Sequence, residues 1–487
     1  MDSIPIILFL LVFILILLGY PVALTLGGIS VIAGLLFFDI DFFYLVSLRI
    51  YGIMNNFVLL AVPLFIFMGL TLGGISVIAG LLFFDIDFFY LVSLRIYGIM
   101  NNFVLLAVPL FIFMGLTLEK SGIAERLLET MAILFGKIRG GLAYSVIIVG
   151  GMLAASTGIV GATVVTMGLI SLPTMLKRGY DKKLATGVIA SSGTLGQIIP
   201  PSVVLVLLGS VLNVSVGNLF ISAVLPGITL VVIYIIYVYV VTLIKPEYAP
   251  PMPDEIVNEF KKKTSIKKVI NAFLLPFILI FAVLGSIFFG IASPTEAAGI
   301  GAAGALFLSF LQGSLNIMKI KEISSETTKL TSIVFMILLG ATSFSLVFRG
   351  LEGDKIIVDL ITSSSLSPEI FLVYVLVTVF FAGFFIDFIE IIFIVVPVIT
   401  PILLALNIDL IWVGIMLAIN LQTSFLTPPF GFSLFYLKSV SPKDVRTMDI
   451  YKGVLPFVLI QILFLLYLFF NPDFIYIVPE LISGYKS

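Results

Sequence analysis

The sequence predicts an all-α polytopic membrane protein built from two inverted-topology repeats. Three observations predict it. Hydrophobic residues make up 61% of the 487 and charged residues only 11%, against about a quarter charged in an average soluble domain. Two double prolines, QIIPPS at 197–202 and LTPPFG at 426–431, interrupt apolar stretches 228 residues apart. Lysine and arginine fall into clusters whose order sends the two proline-bearing segments across the membrane in opposite directions.

Taken from the N-terminus, apolar runs at 4–18, 222–244, 271–290, 330–348 and 453–470 are long enough, or nearly so, to span about 30 Å of hydrocarbon as helices. Segment 4–18 lacks a basic flank and a small-residue cleavage site, so it reads as a retained helix rather than a signal peptide. Residues 24–69 recur letter for letter at 70–115. Old structural repeats drift, so such identity marks a recent duplication or an assembly artefact. The insert should add an even number of crossings, and one copy is expected to be peripheral to function. Residues 1–118 read as N-terminal scaffold helices.

The first repeat covers 119–244. Residues 119–140 place Ile123, Leu127, Leu128 and Met131 on one helical face and charges on the other, the pattern of an interfacial helix. The apolar run 143–155 reaches only about 20 Å as a helix, too short to cross. STGIVGAT (156–163), rich in glycine and small hydroxyls, follows, then another apolar run to Leu176 and the basic KRGYDKK (177–183). This reads as a re-entrant hairpin over 141–176 that enters and leaves on the cytoplasmic side. A broken helix at 184–208 carries the first double proline, which removes two backbone donors and disfavours helix just before it.

Residues 245–268 form the one long polar linker, on the cytoplasmic side, and 269–329 read as scaffold helices. In ASPTEAAGIGAAG (292–304), Ser293, Pro294 and Glu296 form a capping box, and Gly299, Gly301 and Gly304 permit close helix packing. The second repeat, 330–437, offers GLEGDKIIVDLI (350–361) as a weaker interfacial counterpart. It continues with a hairpin at 369–406, tip IDFIE (386–390), entered from outside, and a broken helix at 410–437. A C-terminal helix and tail occupy 438–487. KRGYDKK, KKKTSIKK (261–268), Lys319, Lys321 and Lys329, and Lys438, Lys443, Arg446 and Lys452 mark the cytoplasmic side. The QIIPPS segment then runs outward and the LTPPFG segment inward. The same offset of 228 pairs Pro173 with Pro401 and Asp181 with Asp409.

Non-helical backbone at membrane depth is tolerated only where it is buried in protein or lines a cavity. Breaks at 156–163, 199–201, 386–390 and 427–429 therefore suggest one shared polar site, although a single proline break is more often a plain kink. Helix N-termini can face an anion there, while freed carbonyls and hydroxyls hold a cation. The candidates from the first repeat are Ser156, Thr157, Gly158, Gly161 and Thr163, then Gln197, Pro200 and Pro201. Those from the second are Asp387 and Glu390, then Asn420, Gln422, Thr427, Pro428 and Pro429. Na⁺ is placed near Ser156, Thr157 and Thr427. Asp387 and Glu390 are the acids set far from the ends of long apolar stretches, where charge is costly and usually functional; Asp387 serves equally well as a helix N-cap. Gln197, Asn420 and Gln422 either orient a substrate or pair freed backbone. Trp412 reads as an interface anchor. The chain has no cysteine and no histidine, which excludes disulfides, thiol chemistry, histidine metal sites and Ser-His triads. With no nucleotide-binding motif and no basic arm, enzymatic and nucleic-acid functions are disfavoured.

PLFIFMG (109–115), SGIAERL (121–127), the hairpin near STGIVG, KRGYD followed by ASSGTLGQIIPPS (190–202), SPTEAAGIGAAGAL (293–306), VVPVITP (395–401) and LTPPFG form an ordered set covering about residues 100–455. Together they resemble the large membrane (DctM-like) subunit of tripartite ATP-independent periplasmic (TRAP) transporters. The tandem copy is no part of that pattern. The resemblance implies an elevator-type, ion-transporter-like importer of an organic anion, typically a carboxylate such as a C4-dicarboxylate. It implies symport with Na⁺ as coupling ion, no covalent cofactor, and residence in a bacterial or archaeal cytoplasmic (inner) membrane. Its implied partners are a periplasmic substrate-binding protein, a small four-helix membrane subunit and the lipid bilayer. By the same resemblance, Ser156–Gly161, Asp387, Pro200–Pro201 and Pro428–Pro429 frame the substrate and Na⁺ sites. A stand-alone Na⁺- or H⁺-coupled anion symporter and a passive channel are the competing readings.

Overall fold

The computed structural model describes residues 101–157, 160–253, 266–350 and 367–483, with short stretches at 97–98, 352 and 355–359. Segment 4–18, the duplicated stretch as far as residue 96, linker residues 254–265 and part of 350–361 lie outside the described residues. Among the described residues every regular element is helical, and six helices are long and apolar enough to cross a membrane. The chain divides into two units. The larger comprises Leu106–Thr327, Leu376–Phe384 and Ile411–Ser487; the smaller includes Thr328–Val375 and Phe385–Leu410.

In the larger unit, α1 (Ala107–Lys120) is an apolar helix whose end is set by Ser121 and by Gly122 at φ 72°. The interfacial helix expected over 119–140 accordingly starts later, as α2 (Ile123–Leu134). Glu119 and Lys120 instead close the preceding helix. The expected hairpin is α3 (Gly141–Thr157) and α4 (Val160–Lys177). Its base is tied together by side chains that sequence places far apart. The buried Tyr180 hydroxyl accepts the Leu142 N–H at 3.1 Å, pairing a donor from the first turn of α3. Burial pushes this phenol up to about 12, so it stays neutral.

Next comes α5 (Lys182–Thr194), capped by Asp181, whose carboxylate accepts from Lys183 and Leu184 N–H at 2.9 and 3.1 Å. The polar linker read as a simple divider begins by docking here. Asp181 N–H donates to Tyr248 O, Gly140 N–H to Ala249 O and Met252 N–H to Gly136 O, at 2.9, 3.0 and 2.7 Å. Loop backbone that would otherwise be unpaired at a packed surface is satisfied this way.

After the first break run α6 (Val203–Leu212), buried along almost its whole length, and α7 (Val216–Ile244). Then come α8 (Ile266–Phe288) and α9 (Pro294–Leu311). The capping box at the start of α9 forms as expected: Ser293 N–H donates to Glu296 Oε2 at 2.8 Å and Glu296 N–H to Ser293 Oγ at 3.3 Å. Gly301 packs on Met114 of α1 and Gly304 on Leu279 of α8, whereas Gly299 faces open space and packs on nothing. Helix α10 (Ile317–Gly350) begins in this unit. The unit is completed by the end of α11 (Pro368–Ala382), α13 (Leu410–Leu426), α14 (Phe432–Val440), α15 (Thr447–Phe470) and α16 (Ile477–Ser483). Helices α5 and α15 cross with main chains in contact, because a Cβ on Gly187 or Gly453 would overlap a carbonyl of the other helix. The smaller unit holds the start of α11 and α12 (Phe388–Ala405).

Contacts inside the larger unit give the helix directions. Gly150 of α3 meets Ser192 and Ala154 meets Gly196, so α3 advances with α5. Helix α4 meets α5 at Val164 and Gly193 and joins it through the short loop 178–181, so those two are antiparallel. Gly161 lies against Tyr436, and Gly168 against Leu437 and Val440, so α4 advances with α14. Helix α14 therefore points opposite to α5. The two broken crossings are inverted with respect to each other, as the lysine and arginine clusters required.

Candidate functional site

At the first break, α5 gives way to a single 3₁₀ turn, Leu195–Gln197, and helix resumes at Val203. At the second, α13 ends at Leu426 and α14 starts at Phe432. The Pro200–Pro201 and Pro428–Pro429 bonds are both cis. The freed carbonyls are held in a matched way. Ser202 Oγ donates to Gln197 O at 2.9 Å, and Ser433 Oγ to Phe425 O at 2.6 Å. Residues 197 and 425 are separated by the same 228 positions as the prolines. Both serines are fully buried. A hydroxyl that gives its proton to a carbonyl keeps its lone pairs for another partner, the disposition a cation needs. Pro429 O is held separately, by Tyr451 Oη of α15 at 3.0 Å.

One hairpin serves both breaks. The end of α5 and the 3₁₀ turn after it lie between its arms, with Gly193 against Val164 and Gly196 against the Ala154 carbonyl. Farther along, α4 lies on α14 through Gly161 and Gly168. The end of α11 reaches the second break as well: Gly383 lies against Ser424, the Phe384 and Phe430 rings are 6.3 Å apart, and Asn420 Nδ2 donates to Leu376 O at 2.8 Å.

Of the residues expected at the site, Gly161, Thr163, Gln197, Pro200, Pro201, Asn420, Gln422, Thr427, Pro428 and Pro429 lie in the larger unit, on or beside these elements. Ser156 and Thr157 close α3, but their side chains, and Gly158 entirely, lie outside the described residues. Asn420 pairs backbone, and Thr427 Oγ1 donates to Thr423 O of its own helix at 2.7 Å. Gln197 and Gln422 differ: both are fully buried, neither amide atom of Gln197 makes a hydrogen bond, and the Gln422 amide has only the Tyr234 hydroxyl beside it. An unpaired buried amide costs about 1–3 kcal/mol, so these groups suit a polar ligand or ordered water. Asp387 and Glu390 stand in the smaller unit, where they form a capping box. Asp387 Oδ1 accepts Phe388 N–H at 2.7 Å and Glu390 Oε2 accepts Asp387 N–H at 2.8 Å. Trp412 donates its indole N–H to Leu468 O at 3.1 Å.

Sequence reasoning missed Ser202, Ser433 and Tyr451, and also a fully buried pair on α7 and α15, in which Gln461 Nε2 donates to the Tyr234 hydroxyl at 2.6 Å. Gln422 lies beside that same hydroxyl. Ser202 stands next to its double proline and could have been marked as a hydroxyl able to pair freed backbone; nothing local joins Tyr234 to Gln461.

Inverted crossings, each unwound beside a hairpin arm, form an architecture common among multi-pass transporters. Two solved structures share the fold. The YdaH transporter of Alcanivorax borkumensis aligns over 81% of this chain and 90% of its own, with a TM-score of 0.58 at 14% identity. MtrF of Neisseria gonorrhoeae, from a class of antimetabolite efflux pumps, covers 80% and 85% with a TM-score of 0.53 at 12% identity. Within that architecture the family is defined by sequence. The family model for the tripartite ATP-independent periplasmic transporter, DctM component, matches residues 70–474, and the chain belongs to that family as a large permease subunit. The C4-dicarboxylate TRAP large permease of Pseudomonas aeruginosa is 32% identical over 352 residues, covering 72% of this chain and 80% of the relative. The sialic acid large permease of Vibrio cholerae is 29% identical over 366 residues, covering 75% and 83%. The ectoine large permease of Halomonas elongata is 29% identical over 341 residues, covering 70% and 78%.

The family match begins at Leu70, the first residue of the second copy. Removing residues 24–69 joins Ala23 to Leu70 and restores the reading PVALTLGG without a scar. That deletion is expected to insert normally and to transport within about twofold of the full chain, because an exact copy adds no element the match requires. Uptake by the shortened chain is the measurement, and an inactive deletion would show that the first copy is needed.

Proposed function

We propose that this subunit imports a small organic anion, a carboxylate, on the energy of a Na⁺ gradient. A periplasmic binding protein delivers the substrate and a small four-helix membrane subunit widens the scaffold, in the inner membrane. The observation that carries the reading is the pair of oppositely directed unwound crossings held against one hairpin in one unit, with the unpaired amide of Gln197 and the buried amide of Gln422 on them. Each break is followed at once by a helix N-terminus, at Val203 and Phe432, whose partial positive charge favours an anion. The freed carbonyls, with the Ser202 and Ser433 hydroxyls, suit Na⁺. C4-dicarboxylates, sialic acid and ectoine, named for the relatives, have a carboxylate in common. Transport moves the hairpin and both breaks as one body past the scaffold helices. No covalent cofactor and no bond-making step are required.

The test is uptake of radiolabelled carboxylates into proteoliposomes holding both membrane subunits, with the cognate binding protein outside. Accumulation should follow an imposed Na⁺ gradient and should need the binding protein. Accumulation indifferent to Na⁺ would overturn the coupling, and full uptake without the binding protein would point to a stand-alone symporter.

A further inference from the structure

Helix α1 ends in two neighbouring charged residues that have taken different partners. The Lys120 ammonium bridges Glu322 Oε1 at 2.7 Å and Glu326 Oε2 at 2.6 Å, both in the first turns of α10. Glu119 turns the other way, to the hairpin: Thr166 Oγ1 of α4 donates to Glu119 Oε1 at 2.6 Å. The second oxygen, Glu119 Oε2, is shut away from solvent and makes no hydrogen bond. This carboxylate has lost water and received one neutral hydroxyl in return, while the adjacent ammonium is committed to α10.

The arrangement has two consequences. A short bond from a hydroxyl to a carboxylate is strong while it is closed. Opening it lets water reach an oxygen that is otherwise unpaired, so the loss of the bond is offset by rehydration. Closed and open forms are then close in free energy, as a moving part requires. Lys120 settles which side gives way. With α1 tied to α10 through two carboxylates, and packed on α9 through Met114 against Gly301, α1 stays where it is. The hairpin is the part that leaves.

We infer that Glu119 and Thr166 form a clasp that holds the hairpin against α1 in the conformation described and opens once in each transport cycle. They act as positioning residues through the hairpin, and touch neither substrate nor ion. The inference rests on the transport reading above for the statement that the clasp opens in turnover; its geometry stands without that reading.

The chain contains no cysteine, so thiols placed at Glu119→Cys and Thr166→Cys are the only ones in this subunit. In the assembled transporter, oxidation or a short thiol-specific cross-linker should join them. Trypsin, cutting at the exposed Lys137 and Arg139 between the two positions, should then leave two fragments held together until a reductant is added. The joined transporter should lose uptake at least about tenfold and regain it on reduction, as expected when one of two required states is locked out. Failure of the thiols to join overturns the clasp, and so does a joined transporter with undiminished uptake. Should the cysteine-free parent itself show no uptake, the transport reading fails instead. The clasp is then decided by amide exchange over 160–177, which joining should slow and which overturns the clasp if unchanged.

Discussion

Gly196→Val is expected to abolish transport while the chain still reaches the membrane. A Cβ at this position would overlap the carbonyl of Ala154, a main-chain group that has no rotamer to move into. Insertions into packed cores cost about 1–3 kcal/mol when neighbours can shift, and here the neighbour is the arm of the hairpin. The arm must draw back from the turn that precedes the double proline, taking the hairpin's hold on the first break with it. Reacting groups misplaced by about 1 Å lose on the order of a hundredfold in rate, and a site assembled from backbone oxygens on different elements is similarly sensitive. Gly196→Ala should already be severely impaired. Gly299→Ala is the control, because a Cβ there meets nothing within 4 Å. Uptake normalised to membrane yield is the measurement. A Gly196→Val chain transporting as well as its parent would mean that the hairpin arm does not bear on the break.

The parts of this architecture that sequence disclosed are those written locally. Double prolines mark where helix must stop, lysine and arginine clusters mark which side a segment faces, and Ser293 with Glu296 spells a cap. Each depends on residues within a few positions of one another, or on a count of charges. What stayed hidden depends on register between helices distant in sequence. Nothing around Tyr234 indicates that its hydroxyl will meet Gln461, 227 residues on. Glu119 reads in sequence as the start of an interfacial helix, whereas α1 runs on through Lys120 and the interfacial helix begins only at Ile123. Linker residues 248–252 read in sequence only as part of a polar linker, yet their carbonyls and amides pair with Gly136, Gly140 and Asp181.

Those hidden contacts have a common effect. The Tyr180 hydroxyl and the Gly196 contact bind the hairpin to the start and end of α5, and the Tyr248 and Ala249 carbonyls tie the linker to Asp181 and to Gly140 at the hairpin's base. The Gly187–Gly453 crossing adds α15 to the same assembly, and Tyr451 of α15 holds a carbonyl of the second break. Hydrogen bonds and backbone contacts at that density do not slide over one another. Hairpin, both breaks and C-terminal helix are thus packed as one assembly, and the transport cycle proposed above places its motion where Thr166 meets Glu119.

Asp387→Asn is expected to lower uptake by at least about tenfold, equivalent to ~1.4 kcal/mol of transition-state stabilisation, whereas Glu296→Gln should leave it nearly unchanged. The two acids invite comparison because each sits in a capping box at the start of a helix. Asparagine is as good an N-cap as aspartate, and glutamine serves in the box as glutamate does. Each substitution therefore keeps the cap and removes only a charge. At Glu296 the charge is exposed to solvent, and its loss is worth little. Asp387 is half-buried and stands in a long apolar region, where a charge is costly to keep and its retention calls for a function. The decisive readouts are initial rate and the Na⁺ concentration for half-maximal uptake, measured side by side in both variants. Equal rates in the two, or a normal Asp387→Asn, would reduce Asp387 to a helix cap and remove it from the ion pathway.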